Sequence, residues 1–310
     1  MPTLYCELRS SALIAFSGAD ATSFLQAQLT SDVAGLPPEG AQYAGYCSPK
    51  GRLLATVLVW RRPGDFLLQL PASLREPIQS RIARYVLRSR VSVSDATAGH
   101  VLLGIAGRDA GAIVTAIAGG VPGEPHAVVA REGVWVTRLP IERYVVLANA
   151  AIGEDLKTKI AAGAEARSEE HWAALDIEAG VATITPPTHE QYVPQMVNLD
   201  LIGGVSYAKG CYPGQEIVAR THYLGRLKQR MFRVRLPGPA SPAIGDRLYS
   251  ADFGAEQSSG GIVNVAPRAD AGHEALAVIQ TSSAATTTIH WKSLDGPALE
   301  LLPLPYSLDA

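Results

Sequence analysis

Residues 209–220, KGCYPGQEIVAR, combine a thiol, a cation and a predicted helix start. Pro213 suits the first turn of a helix, and the residues from Gln215 onward favour helix formation. Cys211 would then precede a helix N-terminus, where unpaired amides and the helix dipole favour negative charge. With the ammonium of Lys209, these effects predict a thiol pKa below the usual value of about 8.5. The segment therefore predicts a reactive or metal-ligating thiolate, the alternative being an ordinary buried cysteine.

The cysteines limit what this thiol can do alone. Cys6, Cys47 and Cys211 are odd in number and widely spaced, which is typical of neither a disulfide framework nor a zinc or ferredoxin site. An iron–sulfur cluster usually takes four protein ligands. Cys211 is therefore predicted to be at most a ligand of a shared or transient cluster, with the other ligands coming from a second chain or a small thiol.

A second segment, HWAALDIEAG, pairs an aromatic ring with a carboxylate on one predicted helix that Gly180 ends. A flat nitrogen heterocycle could stack on Trp172, and Glu178 could accept hydrogen bonds from its amidine-like edge. The alternative is a core tryptophan and a solvated glutamate. Without further help, the residues alone favour that alternative.

Two basic clusters are candidates for anion binding. Arg81, Arg84 and Arg88 fall on one face of a helix predicted over residues 71–90, where a solvated face is the favoured interpretation. Arg226, Lys228 and Arg230 form the second cluster, just after the cysteine segment. It is expected either to hold an anionic ligand tail or to be an exposed strand face.

The surrounding elements indicate an α+β fold. Up to about residue 160, apolar strands, a hairpin around Pro49–Gly51 and amphipathic helices form two strand–helix–strand units. From residue 231 onward, short strands separated by Gly, Pro, Ser and Asp predict a small antiparallel barrel without helices. The predicted domains are residues 1–230 and residues 231–310.

Composition excludes several classes of protein. Of the 310 residues, 47% are hydrophobic and 18% charged, so a sizeable core is expected. The net charge of −2 gives no global field for nucleic acid, so direct nucleic-acid binding is not expected. No stretch approaches the roughly 20 apolar residues of a membrane helix. A soluble, cytoplasmic monomer is expected.

Several segments resemble the YgfZ-type folate-binding proteins, relatives of the glycine-cleavage T-protein, an aminomethyltransferase. The resemblance runs from about residue 12 to the C-terminus, and KGCYPGQE is its most specific part. The segments that carry it are FLQAQLTSDV (24–33), YCSPKGRLLA (46–55), LDIEAG (175–180), VPQMVNLD (193–200), KGCYPGQEIVAR (209–220) and PLPYSL (303–308).

The resemblance implies a folate-binding domain of two ferredoxin-like α/β units, about 1–60 with 160–230 and about 61–159. A C-terminal antiparallel β-barrel completes a ring around a central channel that takes tetrahydrofolate or a one-carbon derivative. The implied role is support of iron–sulfur cluster synthesis or repair in client enzymes, including one that thiolates transfer RNA. The implied functional residues are Cys211 and Lys209 at the reactive site and, around folate, Trp172, Glu178, Gln195, Asn198, Tyr212, Gln215, Glu216, Arg220 and Arg226.

Two positions depart from the relatives. The T-protein carries an acidic pair after its Gly-rich hairpin, whereas the matching positions here are Ala55 and Thr56. Some members have a folate-contacting tryptophan where this chain has Ser11. A folate-dependent accessory factor for iron–sulfur proteins is therefore ranked first, a methyl or aminomethyl transferase second, and a factor acting directly on transfer RNA third.

Overall fold

The structure is a computed structural model that describes residues 2–225, 227–268 and 272–308. The chain divides into two compact units. The first comprises the residues up to 44 together with 57–172, and the second comprises 45–56 together with the residues from 173 onward. Within the described ranges, no helix is both long and apolar enough to cross a membrane.

The strands and helices follow the apolar runs of the sequence. The strands are β1 (Leu4–Glu7), β2 (Ser11–Ser17), β3 (Ala41–Cys47), β4 (Leu53–Arg62), β5 (Asp65–Pro71), β6 (Ser92–Asp95), β7 (His100–Ala106), β8 (Val128–Arg131), β9 (Val134–Leu139), β10 (Arg143–Asn149), β11 (Glu165–Ala166), β12 (Gln229–Leu236), β13 (Arg247–Ser250), β14 (Gly260–Pro267), β15 (His273–Gln280), β16 (Ile289–Trp291) and β17 (Glu300–Leu302). The helices are α1 (Ala21–Gln26), α2 (Ala72–Ala83), α3 (Ala110–Ala118), α4 (Gly153–Ala161), α5 (Glu169–Glu178), α6 (Gln215–Tyr223) and α7 (Thr281–Thr286).

These strands form three sheets. One has the order β11-β1-β7-β10-β9-β8, and all its pairings are antiparallel except that of β1 with β11. Helices α3 and α4 contribute Val114, Leu156 and Ile160 to its core, beside Leu103 and Val146 of the strands. The second sheet has the order β3-β4-β5-β2-β6. Burying apolar side chains between helices and a sheet is the main stabilising term of such α+β layers.

The third sheet lies in the second unit, has the order β16-β13-β14-β15-β12-β17 and forms a half-barrel. Its core contains Val234, Leu248, Ile262 and Ile279. A bulge in β14 precedes Asn264. The α+β class and the predicted strands are thus confirmed, whereas the predicted domain boundary at residue 230 stays a prediction.

Two predictions about helices are wrong. Helix α2 ends at Ala83, so Arg84 and Arg88 do not continue the face of Arg81. Beyond Ala83 the backbone bonds shorten to three-residue turns, with the Tyr85 amide donating to the Ile82 carbonyl, and Leu87 adopts a left-handed φ of +44°. The C-terminal part also contains α7, whose small polar residues give no apolar periodicity.

Candidate functional site

Cys211 is the exposed thiol of the chain. Cys6 and Cys47 are both buried, and burial raises the pKa of the Cys47 thiol. Helix α6 begins at Gln215 rather than at Pro213, because Gly214 has a left-handed φ of +79°. Cys211 therefore lies in the loop four residues before the helix. This exposure fits the reactive thiol predicted from the sequence and not the buried alternative.

A contact between two glycines positions the Cys211 loop on the turn of the β3–β4 hairpin. A Cβ atom on Gly214 would lie 2.5 Å from the Cα atom of Gly51 and 2.5 Å from the carbonyl oxygen of Ser48. Gly51 itself has a φ of +69°. Only glycine allows this approach together with these backbone angles. The segments YCSPKGR and KGCYPGQE thus meet through backbone atoms.

Tyr212 anchors the loop from inside. Its side chain is buried, and burial raises the pKa of its hydroxyl, with smaller contributions from Cys47 and Tyr207. The Lys209 ammonium lies 5.2 Å from the centre of the Tyr212 ring, a cation–π contact. The Gln215 side chain donates to the Lys209 carbonyl at 3.4 Å. Lys209 is thus placed against Tyr212, with Gln215 closing the loop.

The buried side chain of Gln195 is hydrogen-bonded to helix α6. Its side-chain amide group donates to the Val218 carbonyl at 2.7 Å and to the Tyr207 hydroxyl at 3.2 Å. Tyr207 stacks on the His222 ring with a centroid separation of 3.7 Å. The Gln195 Oε1 atom is buried and has no hydrogen-bond partner among the described residues. Because the NH2 group donates to a carbonyl, the orientation of the amide is fixed and this oxygen is the acceptor end.

Asn198 is a second buried amide with the same property. It has a left-handed φ of +57°, which asparagine tolerates, and it donates to the Met231 carbonyl at 2.8 Å and to the Tyr306 hydroxyl at 3.3 Å. Tyr306 in turn donates to the Gly180 carbonyl at 2.7 Å. In the described part of the chain, nothing donates to Asn198 Oδ1. Burial raises the pKa of Tyr306 to about 12, so it stays a neutral donor.

The carboxylate of Glu178 lies at the C-terminal end of α5. Gly180 ends the helix in a left-handed conformation, and a Cβ there would lie 2.6 Å from the Tyr306 hydroxyl oxygen. Glu178 is exposed, and no hydrogen bond or ion pair engages it within the described ranges. Its charge partly offsets the burial that lowers the pKa of Arg233, whose guanidinium is bound to Glu274 at 2.7 Å.

The remaining residues predicted to bind folate differ in where they lie. Glu216 and Arg220 are exposed on α6, and Arg226 lies outside the described residues. The second basic cluster is not a uniform anion site, because Arg230 is committed to a bidentate pair with Asp200 at 2.8 and 3.2 Å. The Asp200 pair and Tyr306 were not predicted from the sequence. Their only signal in the sequence was that Asp200 lies in the segment VPQMVNLD and Tyr306 in the segment PLPYSL.

Trp172 belongs to the first unit, where it is 6% exposed. Its ring covers Gly104 of β7, where a Cβ would lie 2.4 Å from the ring atom Cε3. The fully buried Arg143 guanidinium lies 5.0 Å from the ring centre. This is the environment of a core tryptophan, and the predicted stacking on folate stays a prediction.

The two positions that match the acidic pair of the T-protein, Ala55 and Thr56, are buried. Ala55 is fully buried. The buried Thr56 hydroxyl accepts a hydrogen bond from the Ile184 amide at 3.0 Å. No cluster of three or more His, Cys, Asp or Glu side chains within metal-binding reach occurs in the described part of the chain.

Comparison with known protein families and solved structures supports the fold described above. Residues 5–129 match the family model described as the GCVT N-terminal domain. A crystal structure of the glycine cleavage system aminomethyltransferase T from Bartonella henselae aligns with a TM-score of 0.79 over 98% of this chain and 86% of that one, at 17% identity. This likeness confirms the T-protein-like fold.

Sequence similarity is more specific. The protein called tRNA-modifying protein YgfZ of Shigella sonnei is 30% identical over 313 residues, which cover 100% of this chain and 95% of that protein. The one from Sodalis glossinidius is 29% identical over 310 residues, covering 99% of this chain and 94% of that protein. The chain belongs to the YgfZ family, which confirms the resemblance found in the sequence.

Proposed function

We propose that the chain is a tetrahydrofolate-binding accessory protein that supports the synthesis or repair of iron–sulfur clusters in client enzymes. A client that thiolates transfer RNA is included, since the relatives are called tRNA-modifying proteins. The observation that carries the proposal is the exposed Cys211 on a loop held by the Gly51–Gly214 contact. A thiol presented in this way is accessible to a second protein.

The exposed carboxylate of Glu178 fits a folate, and the buried amides hold the backbone of the second unit. Glu178 is an exposed carboxylate without a hydrogen-bond partner in the described ranges, and the buried oxygens of Gln195 and Asn198 lack donors there. A group recognised by the exposed Glu178 carboxylate must bring N–H donors, and the amino and ring N–H groups of a pterin do so. When bound, tetrahydrofolate supplies one-carbon carrier chemistry.

The protein's own residues have separate roles in this proposal. Glu178 orients the donor edge of the pterin by accepting two hydrogen bonds. Gln195 and Asn198 keep their carbonyl oxygens in place by donating to the backbone, while Cys211 provides one thiolate for exchange or for ligating the iron of a cluster that is cargo. The other cluster ligands come from the partner.

Glu178→Gln tests the folate site. It removes a charge-assisted acceptor, so we expect tetrahydrofolate affinity by titration calorimetry to fall by about 1.5–3 kcal/mol. Glu256→Gln, another exposed carboxylate of the second unit, is the matched control. Equal affinity in both variants would remove Glu178 from the site.

Cys211→Ser tests the thiol. Because the side chain is exposed, we expect stability to change by less than about 0.5 kcal/mol. Iodoacetamide should modify native Cys211 before the buried Cys6 and Cys47. In cells lacking the natural gene, the variant should fail to restore thiolated transfer RNA, read by mass spectrometry of nucleosides. Full restoration by Cys211→Ser would refute the assigned role.

A further inference from the structure

The exposed apolar side chains of the chain are concentrated beside Cys211. In the described ranges, the strongly exposed large hydrophobic residues are Tyr85, Leu87, Val121, Ile141, Ile217, Tyr223, Leu224 and Leu301. Three of these eight lie within one stretch, residues 217–224. Leu224 is 85% exposed and Tyr223 is 66% exposed. Single exposed apolar side chains need no explanation, but a contiguous group indicates a binding surface.

Helical geometry places this group on the outer side of α6. Val218 faces inward and is buried, whereas Ile217, Arg220 and Leu224 recur at helical spacing on the opposite side. Tyr223 borders this stripe. The stripe spans about 10 Å at 1.5 Å of rise per residue, which suits the centre of a small protein interface.

The hairpin turn brings the stripe next to the thiol loop. A Cβ on Gly51 would lie 2.9 Å from the Cβ of Ile217, so the neighbouring Lys50 borders the stripe. Cys211 is three residues from Gly214, which also contacts Gly51, and three residues of chain span at most about 11 Å. A partner covering Ile217 would therefore lie within reach of the Cys211 thiol.

Charge around the stripe is opposite in sign to that of the chain. Lys50, Arg220 and Lys228 are exposed, and none has a carboxylate within 4.0 Å among the described residues. Glu216 is an exposed acid on the same helix. The chain as a whole carries a net charge of −2. These four charges sum to +2, so the surface is complementary to an acidic partner.

We infer that the α6 patch, formed by Ile217, Arg220, Tyr223 and Leu224 with Lys50 and Lys228, docks the iron–sulfur client through a surface of apolar side chains ringed by carboxylates. The inference rests on the proposed function and gives its client a docking surface. A second copy of the chain is disfavoured because a twofold contact would oppose like charges. Transfer RNA is disfavoured because Ile217 and Leu224 offer no aromatic face for a base, and the Tyr223 ring already packs edge-on with Tyr207 and His222.

The test measures binding of the full-length chain to the purified iron–sulfur tRNA-thiolating enzyme of the same organism, by anaerobic biolayer interferometry. We expect Leu224→Glu to raise Kd at least about tenfold, as for a central interface residue. Lys50→Glu should also weaken binding and reduce its dependence on salt. The matched controls are Leu87→Glu, which alters a side chain that is 87% exposed, and Arg84→Glu, which alters an exposed cation after α2. Both should stay within about twofold of wild type.

Three outcomes would overturn the docking surface. In the first, the wild type fails to bind the enzyme; in the second, Leu224→Glu binds it as tightly as the wild type does; in the third, Leu224→Glu loses binding to a transfer RNA transcript while it keeps binding to the enzyme. Circular dichroism and tetrahydrofolate affinity should be unchanged in Leu224→Glu, which separates docking from folding. The proposed function has its own failure, since it falls if client activity in cells does not depend on the chain. Client activity that depends on Cys211 while Leu224→Glu binds normally would refute only the docking surface.

Discussion

Replacing Trp172 should separate its packing from any contact with folate. The side chain is 6% exposed, covers Gly104 and lies 5.0 Å from the guanidinium of Arg143. Trp172→Ala therefore removes a buried ring and leaves a buried cation without its aromatic neighbour. We expect the free energy of unfolding to fall by about 3–5 kcal/mol, the range for a large aromatic residue truncated in a core. A desolvated cation–π contact accounts for up to about 2 kcal/mol of that loss.

A substitution at Gly104 tests the same contact with the Trp172 ring. Its substitution by alanine would place a Cβ 2.4 Å from the Cε3 atom of Trp172, which is well inside contact distance. We expect Gly104→Ala to cost about 1–3 kcal/mol through overpacking. In Gly104→Ala/Trp172→Leu the smaller side chain makes room, so the two changes should cost less together than the sum of their separate costs.

The assay is urea unfolding followed by far-ultraviolet circular dichroism, with tetrahydrofolate titration of each folded variant. Trp172→Phe keeps an aromatic ring and is the conservative control. A loss below about 1 kcal/mol in Trp172→Ala, combined with additive costs in the double variant, would refute the core role. If folate affinity then fell by the roughly 1–3 kcal/mol of a lost stacking contact, the sequence-based interpretation of Trp172 would stand.

Two other predictions concern the loop and the effect of pH. Gly214→Ala should cost about 2 kcal/mol or more because of its positive φ and its 2.5 Å approach to Gly51, whereas Gly210→Ala, with no neighbouring atom within 4 Å, should be near neutral in the same unfolding assay. Burial lowers the pKa of His126, so below pH about 6.5 the unfolded chain binds more protons than the folded one, and stability falls as pH falls. His126→Phe should reduce the loss measured between pH 7.5 and 5.5, and an unchanged loss would contradict this assignment.

The α+β class and most strands were predictable because apolar runs and turn residues are local signals. The end of α2 was not, because the residues up to Arg90 favour a helix, whereas Leu87 adopts a left-handed φ of +44° and the Arg90 amide donates to Asp20, 70 residues away in sequence. Helix α7 was missed for a similar reason. Its Ser283 is buried and donates to Asp252 at 2.8 Å, a contact that a local sequence pattern does not predict. Both places carry tertiary hydrogen bonds that a local sequence pattern does not specify.

Within the candidate site, the residue types were predictable and their surroundings were not. The loop residues between Gly210 and Gln215 predicted an unusual thiol, and the structure exposes it. No local pattern indicates that Gly104 and Arg143 pack against Trp172, because both lie on strands far from it along the chain. Tyr306 likewise comes from the last residues of the chain and reaches Gly180 only through the fold.

Two residues of strand β4, Ala55 and Thr56, help to decide between an accessory protein and a transferase. Transfer of an aminomethyl group needs a side chain that exchanges a proton near the pterin. Ala55 has no ionisable group, and the Thr56 hydroxyl is engaged by the Ile184 amide at 3.0 Å. An aspartate at position 56 would keep that hydrogen bond but would bury a negative charge beside the fully buried Ala55. The chain therefore uses Thr56 to hold the backbone after α5, which favours the proposed accessory protein, with Glu178 proposed to bind and Cys211 to react.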